Sequence, residues 1–74
     1  MEHERQTIRH RREIIQAAAC AAQARTRGRE VEAQAHADAA SEYFRRQSGD
    51  AGPARRLFNE TYKQEWQSLH TEAR

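Results

Sequence analysis

The sequence predicts an all-α protein, and three observations lead to this class. Between Glu2 and Gln47 the chain contains one glycine and no proline, and most of its residues favour helices. One cluster of turn-forming residues follows, "SGDAGP" at 48–53. Beyond it, large apolar residues recur at spacings of four, four and three, the pattern of one helix face. These residues are Phe58, Tyr62, Trp66 and Leu69.

The first expected element is one long helix over about residues 4–47. Gly28 lies inside it, and a glycine in a helix costs about 1 kcal/mol relative to alanine, which a long helix tolerates. The alternative is that Gly28 caps a helix ending at Arg27, which would give three helices. Because no proline or turn cluster follows Gly28, the continuous helix is the favoured interpretation.

The second expected element is a shorter amphipathic helix over about residues 54–71. Pro53 suits a first helical turn, and Asp50 or Gly52 can cap it. With a turn at 48–53, residues 1–74 are expected to form a single domain, a helical hairpin.

A face of small residues on the first helix predicts close packing against a second helix. Its positions advance by three and four, near a heptad period. The chain is short and has few large apolar side chains, so association between copies would supply missing core. We therefore expect this face to be a dimer seam. Its residues are Ile14, Ala17, Ala21, Ala24, Gly28, Val31, Ala35 and Ala39.

The charge pattern predicts how the two copies would run. Residues 1–29 hold seven arginines and three glutamates, whereas residues 30–52 hold two arginines and five acidic residues. An antiparallel pair crossing near Gly28 would set basic halves against acidic halves. It would also place Ala21 opposite Ala35 and Ala17 opposite Ala39. The expected assembly is an antiparallel dimeric four-helix bundle.

Enzymatic and metal-binding functions are not expected. The sequence contains no glycine-rich phosphate loop, nucleophile elbow or zinc-protease motif, and its four histidines stand at no metal-ligand spacing. No cofactor is expected either. The lone Cys20 suits a reducing cytoplasm, and no stretch is apolar enough for a membrane segment. The excess of arginine over lysine, twelve to one, favours a bacterial or phage origin through GC-rich codon usage.

The residues around the 48–53 turn are the preferred partner-binding surface. Aromatic side chains beside arginines are typical of protein-binding hot spots. The candidate residues are Tyr43, Phe44, Arg45, Arg46, Arg55, Arg56, Phe58 and Tyr62. They predict a small adaptor, regulator or inhibitor that acts as a helical homodimer on a larger protein.

The alternative function is nucleic-acid binding through an arginine face near the N-terminus. Arg5, Arg9 and Arg12 share one helix face at spacings of four and three, with Arg11 beside them. Arginine rows of this kind can contact phosphates. The modest net charge of +2 and the acidic middle of the chain make this the second choice.

Overall fold

Three α-helices make up the computed structural model, which describes residues 8–72, with side chains to Thr71. They are α1, Arg11–Thr26, α2, Glu30–Arg45, and α3, Gly52–Glu72. No strand occurs in the described range, so the all-α class is confirmed there. The predicted single helix over 4–47 is wrong, and so is the two-helix hairpin. The predicted start at residue 4 and the candidate Arg5 lie outside the described residues.

Helix α1 begins later than predicted because the chain turns at His10. This residue adopts a left-handed conformation (φ 60°), which ends helical geometry on its N-terminal side. The Gln47 side chain holds the preceding backbone: its amide nitrogen donates to the Arg9 carbonyl (2.9 Å), and its oxygen accepts from the Arg9 N–H (3.0 Å). Tertiary hydrogen bonds therefore satisfy backbone groups that a longer helix would have paired.

The break between α1 and α2 is a glycine cap at Gly28. Gly28 has φ +77°, its N–H donates to the Arg25 carbonyl (3.1 Å), and the Arg29 N–H donates to the Ala24 carbonyl (2.8 Å). This pair of bonds is a Schellman motif, in which a left-handed residue closes the helix end. Gly28 reaches this geometry without the steric penalty of a side chain, so the chain reverses here.

Helices α1 and α2 pack antiparallel, in a register nearly symmetric about Gly28. Arg9 and Gln47 hydrogen-bond at the far end of the pair, and the His10 and Tyr43 rings lie 5.0 Å apart there. Further along, Ala17 and Ala39 line one depression between the helices. The register predicted for two chains is thus present within one chain.

Helix α3 begins after a turn at Gly49 (φ +85°) and packs along α1. The Asp50 carboxylate accepts the Gly52 N–H (3.0 Å), and Pro53 occupies the first turn. By Tyr62, α3 has reached the last turn of α1, where the Arg25 side chain donates to the Tyr62 hydroxyl (2.8 Å). The predicted second helix is therefore present, starting two residues earlier and ending one residue later.

The core is a set of alanines around the central helix α1. Helix α1 packs against both α2 and α3, whereas α2 and α3 hardly touch each other. The three helices form a layer measuring 41 × 26 × 15 Å. Ile14 is the largest fully buried side chain in the described range. The buried residues are Ile14, Ala17, Ala18, Ala21, Ala22, Ala24, Ala33, Ala40 and Ala54.

Candidate partner-binding site

A continuous row of aromatic rings runs from the end of α2 along α3. We call it the aromatic row; it consists of Phe44, Phe58, Tyr62, Trp66 and His70. Phe44 meets Phe58 edge-on with ring centroids 6.0 Å apart. The spacing of four along α3 then places successive rings at 6.3, 6.3 and 4.0 Å, with the first two pairs stacked and the third tilted by 41°. None of these side chains is fully buried, so the row contributes to packing and also presents apolar surface.

Guanidinium groups lie over three of the aromatic rings. The Arg55 guanidinium carbon is 5.5 Å from the centre of the Phe44 ring, and that of Arg46 is 6.0 Å from the Tyr43 ring. Arg25 lies 5.7 Å above the Tyr62 ring. These distances are those of cation–π contacts, which restrain the rings and place charge beside them.

Arg25 connects all three helices at the end of the layer that contains Gly28. From α1, its guanidinium donates to the Tyr62 hydroxyl of α3 and to the Glu30 carboxylate of α2 (3.2 Å). The hydrogen bond to Tyr62 raises the pKa of Arg25, with a further increase from Glu30. A nearby bond from the Gln23 amide to Glu65 (3.0 Å) also joins α1 to α3.

At the opposite end of the layer, the fold brings together three arginine pairs or clusters that are separate in the sequence. The start of α1, the end of α2 and the start of α3 all lie at this end, as the contacts of Gln47 and Phe58 show. Seven arginines are exposed there, and we call them the arginine end: Arg9, Arg11, Arg12, Arg45, Arg46, Arg55 and Arg56. Within residues 8–71, the ion pair found among them joins Arg45 to Glu42 (3.2 Å).

The candidate partner-binding residues therefore lie on one connected surface. Tyr43, Phe44, Phe58 and Tyr62 are half-buried, and the four arginines that accompany them are exposed. Two features were missed by sequence reasoning. Trp66 and His70 extend the aromatic row, as the spacing of four from Tyr62 to Trp66 and from Trp66 to His70 could have indicated. The second feature is the arginine end. Its three groups come together only because the chain reverses at Gly28, so it could not be predicted without the helix break.

The predicted dimer-seam residues are divided between buried and exposed positions. Ile14, Ala17, Ala21 and Ala24 are buried inside the chain on α1. Gly28, Ala35 and Ala39 are exposed, and Val31 is the most exposed large hydrophobic residue described, at 84%. Contact of these residues between two chains stays a prediction.

Other groups with chemical potential are sparse in the described part of the chain. Cys20 and His36 share two shallow depressions between α1 and α2, of which one is also lined by Glu32 and the other by Glu13. No three of the His, Cys, Asp and Glu side chains in residues 8–71 are placed so that they could hold one metal ion. Within the same range, no helix combines the length and apolarity needed to cross a membrane.

The comparisons with known proteins identify no relative. No protein-family model, curated protein or solved structure matches this chain significantly.

Proposed function

We propose that this chain is a non-enzymatic binding protein that acts as an adaptor, regulator or inhibitor of a larger protein. The observation that carries the proposal is the junction of the aromatic row with the arginine end, where Arg55 lies over Phe44 and Phe44 meets Phe58. Aromatic and arginine side chains dominate binding energy at protein interfaces. A single cysteine, Cys20, is typical of a protein from the reducing cytoplasm, and we propose that the chain acts there.

The chemistry of this surface favours an acidic partner. The exposed guanidinium groups can form paired hydrogen bonds with carboxylates. The adjoining rings offer apolar area that is already restrained by packing, which lowers the entropy lost on binding. We therefore propose a partner that presents Asp or Glu side chains around an apolar anchor.

Replacing Arg55 and Arg56 together by alanine is expected to weaken binding to the captured partner by roughly 30-fold or more, as hot-spot residues do. The tagged protein would first capture its partner from host extract, and calorimetry with both purified proteins would then give the dissociation constants. The matched control replaces Arg27 and Arg29 by alanine, which removes the same charge at the opposite end of the layer. We expect the control variant to weaken binding by less than about fivefold. Equal effects of the two double variants would contradict the proposed site.

Nucleic-acid binding is the second candidate function, and the seven arginines of the arginine end favour it. They include Arg9, Arg11 and Arg12, the described members of the predicted arginine face. If nucleic acid is the partner, affinity should fall steeply with salt, with a log–log slope of about −0.9 per phosphate contacted on duplex DNA.

Exchange of Arg9, Arg11 and Arg12 for alanine is expected to reduce DNA affinity and make this slope shallower by about one for each phosphate that is no longer neutralised. Fluorescence anisotropy with a labelled duplex at several salt concentrations measures both quantities. The Arg27/Arg29 double variant again serves as the control. This function would be excluded for the arginine end if the DNA affinity did not depend on salt concentration, or if both variants lowered it equally.

We also propose that the protein forms the homodimer expected from its sequence. Within residues 8–71, Ile14 is the one large side chain that is fully buried, so a second copy would add scarce apolar burial. Because Ala17, Ala21 and Ala24 are already buried by the chain's own helices, a dimer that uses them must replace intrachain contacts with equivalent ones.

A further inference from the structure

We infer that the α1–α2 connection opens at Gly28 into one continuous helix, and that two such chains exchange α2 and α3 to form an antiparallel dimer. Domain exchange of this kind reuses intrachain contacts between copies and needs no new interface. It rests on the homodimer proposed above, specifies how the two copies associate, and is independent of the proposed partner.

The register of the hairpin permits the exchange. Arg9 with Gln47 and Ala17 with Ala39 are pairs placed symmetrically about Gly28, and Cys20 and His36, which share a depression, form a third. Two straight helices crossing antiparallel at Gly28 bring together the same pairs, now from different chains. The α1–α2 packing of the closed chain would thus be recovered twice in the dimer.

The third helix can take part without rearrangement. Helix α3 packs on α1 and hardly touches α2, although α2 is the helix that it follows in the chain. When α2 moves to the partner, α3 moves with it and reaches the partner's copy of α1. The product holds two continuous helices and two copies of α3, the four-helix arrangement expected from the sequence.

The hinge itself is short, and among the described residues the side-chain bond that spans it is the partly exposed ion pair of Arg25 with Glu30 (3.2 Å). Only Arg27, Gly28 and Arg29 separate the two helices, and all three are exposed. A side chain added at Gly28 would meet no heavy atom within 4 Å. Gly28 is the one poor helix former in this connection, and no proline prevents a straight helix. In contrast, Pro53 at the α2–α3 turn prevents such a fusion there.

Charge complementarity selects the antiparallel orientation. Helix α1 carries three arginines and one glutamate, and α2 carries four acidic residues and one arginine. In the exchanged dimer each α1 lies against the partner's acidic α2, as it does inside the closed chain. A parallel pair would place like charges together, which association disfavours.

The substitution Gly28→Ala tests this inference directly. Alanine is strained at φ +77° and favoured inside a helix, and two hinges change per dimer. Dimer affinity should therefore rise on the order of 10²- to 10³-fold, since both effects favour the open form. Light scattering coupled to size exclusion, from low micromolar to millimolar concentration, measures the shift for the wild type and each variant.

Two control variants separate the hinge effect from general destabilisation. Gly28→Asn should leave the chain closed, because asparagine tolerates the left-handed conformation and is a weaker helix former. Gly49→Ala introduces the same strain at φ +85°, also with no heavy atom within 4 Å, but outside the α1–α2 connection. Neither control should promote dimers.

A distance measurement distinguishes exchange from side-by-side association. Glu13 and Ala39 are exposed and line one depression in the closed chain. Spin labels on cysteines at these positions, in a Cys20→Ser background, should be adjacent when closed and about 39 Å apart along a straight helix. The labelled Gly28→Ala chain is mixed with excess unlabelled chain, so that each dimer contains one labelled copy.

A long intrachain distance in the Gly28→Ala dimer would support the exchange. The inference is overturned if this variant stays monomeric at millimolar concentration, or if its dimer keeps the short distance. It is equally overturned if circular dichroism shows the variant unfolded throughout, because the open form must then lack the stability required of it.

Discussion

Replacing Ala21 by leucine is expected to lower the free energy of unfolding by about 1–3 kcal/mol, because the larger side chain has no room in a packed core. Ala21 is 1% exposed on the central helix α1, which packs on both sides. To make room for the leucine side chain, α2 or α3 would have to move away from α1, which would loosen the packing of the neighbouring alanines. Urea unfolding followed by circular dichroism measures the change.

The matched control is Ala35→Leu. The two alanines are equivalent partners in the predicted seam, but Ala35 is exposed on α2. Leucine there should change stability by no more than about 0.5 kcal/mol. A similar destabilisation by both substitutions would show that Ala21 does not face the core or that Ala35 does not face solvent.

Truncating Ile14 to alanine is the second change with a large expected effect. Ile14 is 0% exposed and is the largest fully buried side chain of the described residues. Its removal should cost about 2–5 kcal/mol through lost burial and the cavity left behind. The total free energy of unfolding of a small domain is only about 5–15 kcal/mol. Thermal melting should therefore shift downward by about 10 °C or more.

Ile15→Ala provides the comparison, since Ile15 has the same side chain and is only half-buried. Its removal should cost about half as much, because less apolar surface leaves water there on folding. If Ile15 proved as costly as Ile14, the orientation of α1 in the layer would be wrong.

The sequence allowed much of this fold to be predicted from local patterns. The 48–53 turn and the apolar spacing from Phe58 to Leu69 required only helix periodicity and turn chemistry. The helix end at Gly28 did not follow, because a continuous helix and a capped one differ by about 1 kcal/mol locally. The packing of α2 back on α1 decides between them, and it depends on contacts far apart in sequence. The antiparallel register about Gly28 was predicted between two chains, which stays a prediction, and the structure has this register between α1 and α2 of one chain.

The candidate site was predictable in composition and only partly in extent. Tyr43, Phe44, Phe58 and Tyr62 stood out as aromatic residues near arginines around the turn. The arginine end emerges only when the chain reverses at Gly28, which carries Arg45 and Arg46 back beside Arg9 and Arg11. In the single straight helix predicted from the sequence, these arginine clusters would lie far apart.

The central position of α1 has a consequence for how the molecule unfolds. Because α2 and α3 share little contact, detachment of either from α1 breaks few contacts between them, chiefly those of Phe44 with Phe58 and Arg55. The layer is therefore less cooperative than a closed bundle, in which every helix contacts two others. Partial opening should leave α1 paired with one remaining neighbour, and its amide hydrogens should exchange most slowly. Detachment of α3 alone would also release Tyr62 from Arg25 and expose the full length of the aromatic row.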